Sequence, residues 1–163
     1  MTDPQGHAAV TSLVTAGTVL AGSVLLAAGC ASSPAPATAP AQYLAIAQPA
    51  NRQLDHELDG FGDHVKASEL TAAQADLRAV AATERRFDRQ LIALSFPPRT
   101  EPVVRLLYRV NQARAALTSA AAGATSVREL RGYQRRLAAA NEPVEDAVRV
   151  IRDQLDLPAP DTS

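Results

Sequence analysis

The sequence predicts an all-α fold, an up-down-up-down four-helix bundle preceded by an N-terminal signal segment and a Pro/Ala linker. Three observations lead there. The apolar fraction is 47%, yet aromatic residues are 4% and tryptophan is absent, so much of it is alanine, which favours helix over strand. Past residue 40, apolar residues recur at steps of three and four through four segments. The breaks between segments are short, and short links place successive helices antiparallel. The expected divisions are a cleaved signal at 1–29, a flexible linker at 30–40, the bundle at 41–157 and a frayed tail at 158–163.

Residues 8–29 carry no charge and end in small residues directly before Cys30, the only cysteine. This is the pattern of an export signal. The segment after it, ASSPAPATAPA, is a Pro/Ala/Ser spacer and a poor core neighbour. One cysteine allows neither an internal disulfide nor a cysteine-based zinc site.

The residues Leu26, Ala27, Ala28, Gly29 and Cys30 resemble the bacterial lipoprotein signal. The resemblance implies a diacylglyceryl group on the Cys30 thiol, cleavage after Gly29, and a chain held at the outer face of the cytoplasmic membrane. Each buried methylene contributes about 0.8 kcal/mol, so two or three acyl chains hold a small domain where one does not. Two features depart from the pattern: Ala27 stands where leucine is usual, and MTDPQGH has no Lys or Arg. An uncleaved transmembrane anchor is the alternative, since about 20 apolar residues span a bilayer.

In the first helical segment Tyr43, Ile46, Ala47, Ala50, Leu54, Leu58 and Phe61 form the row, Pro49 is expected to end or kink the helix unless the helix begins near Gln48, and Gly60 and Gly62 to close it. The second is expected to open on Thr71, or on Ser68, and to bury Leu70, Ala73, Leu77, Val80, Phe87, Leu91 and Leu94 with Glu84 interrupting. Phe96-Pro97-Pro98 stops it. The third starts after Thr100, with Glu101 and Pro102 in its first turn, and presents Val103, Leu106, Leu107, Val110, Ala113, Leu117 and Ala120. Gly123 ends it. Ser126 and Glu129 form a capping box that opens the fourth, whose row runs Val127, Leu130, Gln134, Leu137, Asn141, Val144, Val148, Ile151 and Leu155, with Pro143 expected to bend or split it.

As a whole, the chain resembles small alanine-rich helical lipoproteins of actinobacteria, through the lipobox, the Pro/Ala linker, the opening YLAIAQPANRQLD (Tyr43 to Asp55) and the ending VRVIRDQLDLPAP (Val148 to Pro160). That resemblance implies location and fold and carries no activity.

Three groups of residues are candidates for chemistry. Asp55, His56, Asp63 and His64 in DHELDGFGDH have metal-ligand character if the glycines fold the chain back, although the spacing is not HExxH. Glu84, Gln134 and Asn141 interrupt apolar rows, with Asn51 and Asn111 nearby on their helices; such residues more often fix helix register than do chemistry. Arg85, Arg86, Arg89, Arg135 and Arg136 form basic runs, which Glu84 and Asp88 make look like an ion-paired, solvated face. The other reading is an anionic-lipid stripe.

Without Asp3 the charge from Cys30 onward is balanced, so nothing points to nucleic acid. No nucleophile elbow, phosphate loop or redox pair is present, and the sequence predicts no enzyme and no cofactor beyond the lipid on Cys30. The expected function is a binding or scaffolding module at the cell envelope, with an envelope protein as partner. The alternatives are a small-ligand or lipid carrier, with a cavity beside Ala113, Ala120 and Ala138, and a His/Asp metal-binding protein. So light a core makes a homodimer an option.

Overall fold

The computed structural model describes residues 37–159; the signal segment, the lipobox residues and Cys30 lie outside them, as do the last four residues. Four helices are present and, among the described residues, no strand: α1 (Ala39–Lys66), α2 (Leu70–Ile92), α3 (Glu101–Ala121) and α4 (Val127–Gln154). Consecutive helices pack closely, α1 on α2, α2 on α3 and α3 on α4, whereas α1 and α4 approach less closely. Among the described residues, no helix is long and apolar enough to cross a membrane.

α1 begins with Pro40 in its first turn, where the missing N–H costs nothing, and Gln42 Nε2 donates to Ala37 O at 2.6 Å. It does not end at Pro49, and it runs on through Gly60 and Gly62, which were expected to close it. Pro49 is exposed, and the carbonyl it frees, that of Ala45, lies on the same wet side. A helical glycine costs about 1 kcal/mol against alanine, but continuing the helix buries Phe61 and Val65, about 1.5–3 kcal/mol each. Burial wins over the breakers.

The helix ends in a Schellman motif built on serine. Glu69 N donates to His64 O at 2.8 Å and Ser68 N to Val65 O at 3.3 Å, with Ser68 at φ 62. This tight link leaves no room for a cap at Ser68 or Thr71; Glu69 is the N-cap of α2 and Thr71 lies inside the helix. Asp156 repeats the arrangement after α4, with Leu157 N donating to Arg152 O at 2.8 Å and φ 53 at Asp156.

Thr100 does precede α3, but its hydroxyl makes no capping bond. Ser126 caps α4 as expected, accepting from Glu129 N at 3.2 Å. The return bond shifts by one residue, because Glu129 Oε2 accepts from Thr125 N (2.7 Å) and Thr125 Oγ1 (2.8 Å). Pro143 does not split α4; like Pro49 it is exposed, and so is Ala139, whose carbonyl it frees.

The core falls into two clusters. At one end Tyr43, Ala47, Leu91, Val104, Leu107, Val144, Ala147, Ile151 and Leu155 pack together. At the other, Phe61, Val65, Ala73, Leu77 and Leu130 close around Ala121, Ala122 and Ala124. Ala35–Ser163 forms one compact unit, and both clusters are complete within it, so this unit has a core of its own. Pro158 and Ala159, expected to fray, are held by Arg152, whose Nε donates to Pro158 O at 2.6 Å.

α3 departs furthest from its expected face. Its buried row is Val104, Leu107, Asn111, Ala115, Thr118 and Ala121, while Leu106 is 41% exposed and Ala113 and Ala120 face solvent. The face is turned by one residue, about 100°. Asn111 and Thr118 belong to the seam, and a purely apolar criterion leaves them out.

Candidate functional site

Between the two apolar clusters the helices carry a layer of buried polar side chains. Their periodicity brings them to one level: Glu84 and Asp88 are one turn apart on α2, and Asn111, Arg114 and Thr118 recur at three and four on the antiparallel α3. Asn141 joins from α4. On the α1 side, Glu57 Oε1 accepts from Gln53 Nε2 at 2.8 Å and from Thr83 Oγ1 at 3.1 Å.

Asp88 is fully buried and well satisfied. Asn111 Nδ2 donates to Oδ1 at 2.8 Å and Gln112 Nε2 to Oδ2 at 3.2 Å. Burial nevertheless raises its carboxyl above the ordinary range, because desolvation outweighs these donors.

Glu84 is 2% exposed and less well provided for. Its Oε1 lies 2.8 Å from Arg114 Nε, an ion-pair distance, although the N–H is not directed at that oxygen. Its Oε2 is buried with no donor. Burial pushes Glu84 up to about 7, with Arg114 opposing the shift and Asp88 adding to it. Arg114 Nη1 also donates to Asn141 Oδ1, and Asn141 Nδ2 donates to Glu145 Oε1.

Beside this layer opens a cleft of about 330 Å³. Leu77, Val80, Glu84 and Thr118 of α2 and α3 line it and are buried, while the exposed liners, Leu58, Gln134 and Ala138, sit on α1 and α4. The mouth therefore lies between α1 and α4, which pack less closely than consecutive helices do. Leu54, Leu58, Phe61, Leu77, Val80 and Leu137 make most of the lining apolar, and Glu84, Arg114 and Asn141 make one end polar. An apolar body with a few convergent polar groups is the usual composition of a small-molecule site.

Several candidates from the sequence fall elsewhere. His56 and His64 do not converge, because α1 is continuous and eight residues of helix separate them by about 12 Å. Asp55, His56 and Asp63 are exposed, and among the described residues no group of three or more His, Cys, Asp or Glu could hold a metal ion. His64 instead ties α1 to α2: its Nδ1 lies 2.6 Å from Asp76 Oδ2 and its Nε2 3.8 Å from Glu69 Oε2. The hydrogen bond to Asp76 raises its pKa.

The arginine runs are exposed, but Glu84 and Asp88, expected to pair with them, turn inward. Arg85 reaches Ser119 Oγ at 2.5 Å and Arg136 stacks 5.0 Å over the Tyr133 ring. Of the polar residues flagged in the rows, Glu84, Asn111 and Asn141 meet in the layer, Gln134 stands at the cleft mouth, and Asn51 is exposed. Of the three alanines expected beside a cavity, only Ala138 lines the cleft. Asp88, Arg114 and Thr118 were missed. The signal for them is the polar row Asn111, Arg114, Thr118 at helical spacing, opposite Glu84 and Asp88.

Searches against protein-family models, curated proteins and solved structures find no match to the chain.

Proposed function

We propose that this chain is a cell-envelope lipoprotein, held by a lipid on Cys30 to the outer face of the cytoplasmic membrane, whose bundle binds a small amphipathic molecule in the cleft between α1 and α4. The cleft is the observation that carries the binding reading: it offers an apolar lining to a tail and a polar end to a head group. At about 30 Å³ per water-sized group, it has room for roughly ten non-hydrogen atoms. The tether rests on the uncharged run 8–29, the small residues before Cys30 and the spacer after it.

A protein scaffold is less well supported. The large exposed apolar side chains, Leu58, Ile92, Leu106 and Val150, occur one to a helix, and single exposed apolar residues are normal on a soluble surface.

The test of binding uses the unit Ala35–Ser163 and a neutral, polarity-sensitive naphthylamine dye. Saturable fluorescence enhancement, lost in Ala138→Trp, supports the reading; its absence, or its persistence in that variant, refutes it. Ala138 is exposed, so the larger ring fills the mouth without entering the core. The tether is tested separately by intact mass: a species beginning at Cys30 with added acyl mass, abolished by Cys30→Ala, is expected, whereas an unprocessed chain contradicts it.

A further inference from the structure

Within the proposed cleft, which this inference takes as its premise, the polar end decides which head group enters. We infer that the ligand is a single-tailed amphiphile carrying a protonated amine, which donates to Glu84 at the polar end of the cleft. Glu84 Oε2 is buried and has no donor, whereas the oxygens of neighbouring Asp88 have theirs from Asn111 and Gln112. A buried acceptor left unsatisfied is costly, and a ligand that brings a donor recovers that cost on binding.

Charge points the same way. Two buried carboxyls, Glu84 and Asp88, stand beside a single guanidinium, Arg114, while Glu145, bonded to Asn141, is exposed and screened by water. Arg114 is ion-paired with Glu84 and donates to Asn141, so it balances one of the two buried carboxyls. Arg85 on α2 also acts on Glu84, but its side chain is exposed and turned to Ser119. α1 faces the cleft with Leu54, Leu58 and Phe61. With both carboxyls ionised an ammonium therefore meets an excess of one buried negative charge, and a carboxylate head is disfavoured.

The experiment is competition of octylamine, octanol and octanoate against the neutral dye on Ala35–Ser163 at pH 8. Octylamine is expected to displace the dye about tenfold more tightly than octanol, the effect of one charge-assisted hydrogen bond, with octanoate weakest. Glu84→Gln should bring the octylamine-to-octanol ratio close to one. A second readout needs no variant: in the wild type the ratio should fall between pH 8 and pH 6 as Glu84 takes up a proton. Octanoate binding tightest, or a ratio indifferent to both Glu84→Gln and pH, overturns the inference while leaving the cleft as a site. Failure of the dye to bind at all removes the cleft reading and this inference together.

Discussion

Arg114 of α3 reaches across to Glu84 of α2, with Nε 2.8 Å from Oε1, and the pair is buried where the two apolar clusters of the bundle meet. The guanidinium is 16% exposed and the carboxylate 2%, so solvent does little to screen either. Removing one partner leaves the other charge uncompensated. Arg114→Ala should therefore destabilise the bundle by about 3–5 kcal/mol. Adding Glu84→Gln should recover a good part of that loss. A double-mutant cycle in urea measures it, and simple additivity of the two losses would show that the contact is not an energetic pair.

Glu84 also makes stability depend on pH, with a definite sign. Its ordinary value is 4.5 and its folded value about 7, so between these the folded state binds more protons than the unfolded state. Stability should fall as pH rises from 4.5 to about 7, by up to about 3 kcal/mol, and flatten above it. Asp88, raised by burial, acts in the same direction from its own ordinary value upward. His64, raised by Asp76, contributes stability that is present below 6.5 and lost as pH rises through its folded value. Glu129 is lowered by its bonds to Thr125, so its contribution is lost as pH falls through its folded value. Urea midpoints should thus be higher at pH 5 than at pH 8, with a shallower difference in Glu84→Gln. Equal midpoints in the wild type would contradict this.

The phase of α3 can be read by substitution. Leu107 is fully buried and Leu106 is 41% exposed, although both fall in the apolar row expected from the sequence. Leu107→Ala should cost about 2–5 kcal/mol and Leu106→Ala about 0.5 kcal/mol or less. Comparable losses at the two sites would restore the sequence-derived face.

That contrast shows how far the sequence could be read. Four helices were legible because alanine content and steps of three and four are local signals, and the Ser126 cap because the backbone N–H three residues on, that of Glu129, completes it. The breakers misled where local cost was outweighed from a distance: Gly60 and Gly62 lie inside α1 because continuing the helix buries Phe61 between them and Val65 after them in the cluster with Leu77 and Leu130. Pro49 does not end α1 and Pro143 does not split α4, because the cost of each depends on whether the freed carbonyl faces water, which only the packed bundle decides. The site was half legible. Glu84, Asn111, Gln134 and Asn141 stood out as polar residues on or beside apolar rows, but Asp88 read as a surface charge and nothing marked Arg114 until α2 and α3 were set side by side.

The helix ends offer a gain rather than a loss. Ser68 sits at φ 62, where a side chain costs about 1–2 kcal/mol, and glycine's extra freedom in the unfolded chain offsets part of that. Ser68→Gly should stabilise by about 0.5–1 kcal/mol, measured by urea unfolding, because the Schellman bonds to His64 O and Val65 O remain. A loss of stability would mean that Ser68 does not hold that conformation in solution.

The binding cleft is tested most directly by a nuclear magnetic resonance titration of Ala35–Ser163 with octylamine. Saturable shifts are expected at Leu58, Phe61, Leu77, Val80 and Ala138, which line the cleft, with Tyr43 and Ile151 of the distant cluster unmoved. Shifts that fail to saturate, or that appear at Tyr43 and Ile151 while the cleft residues stay still, would contradict it.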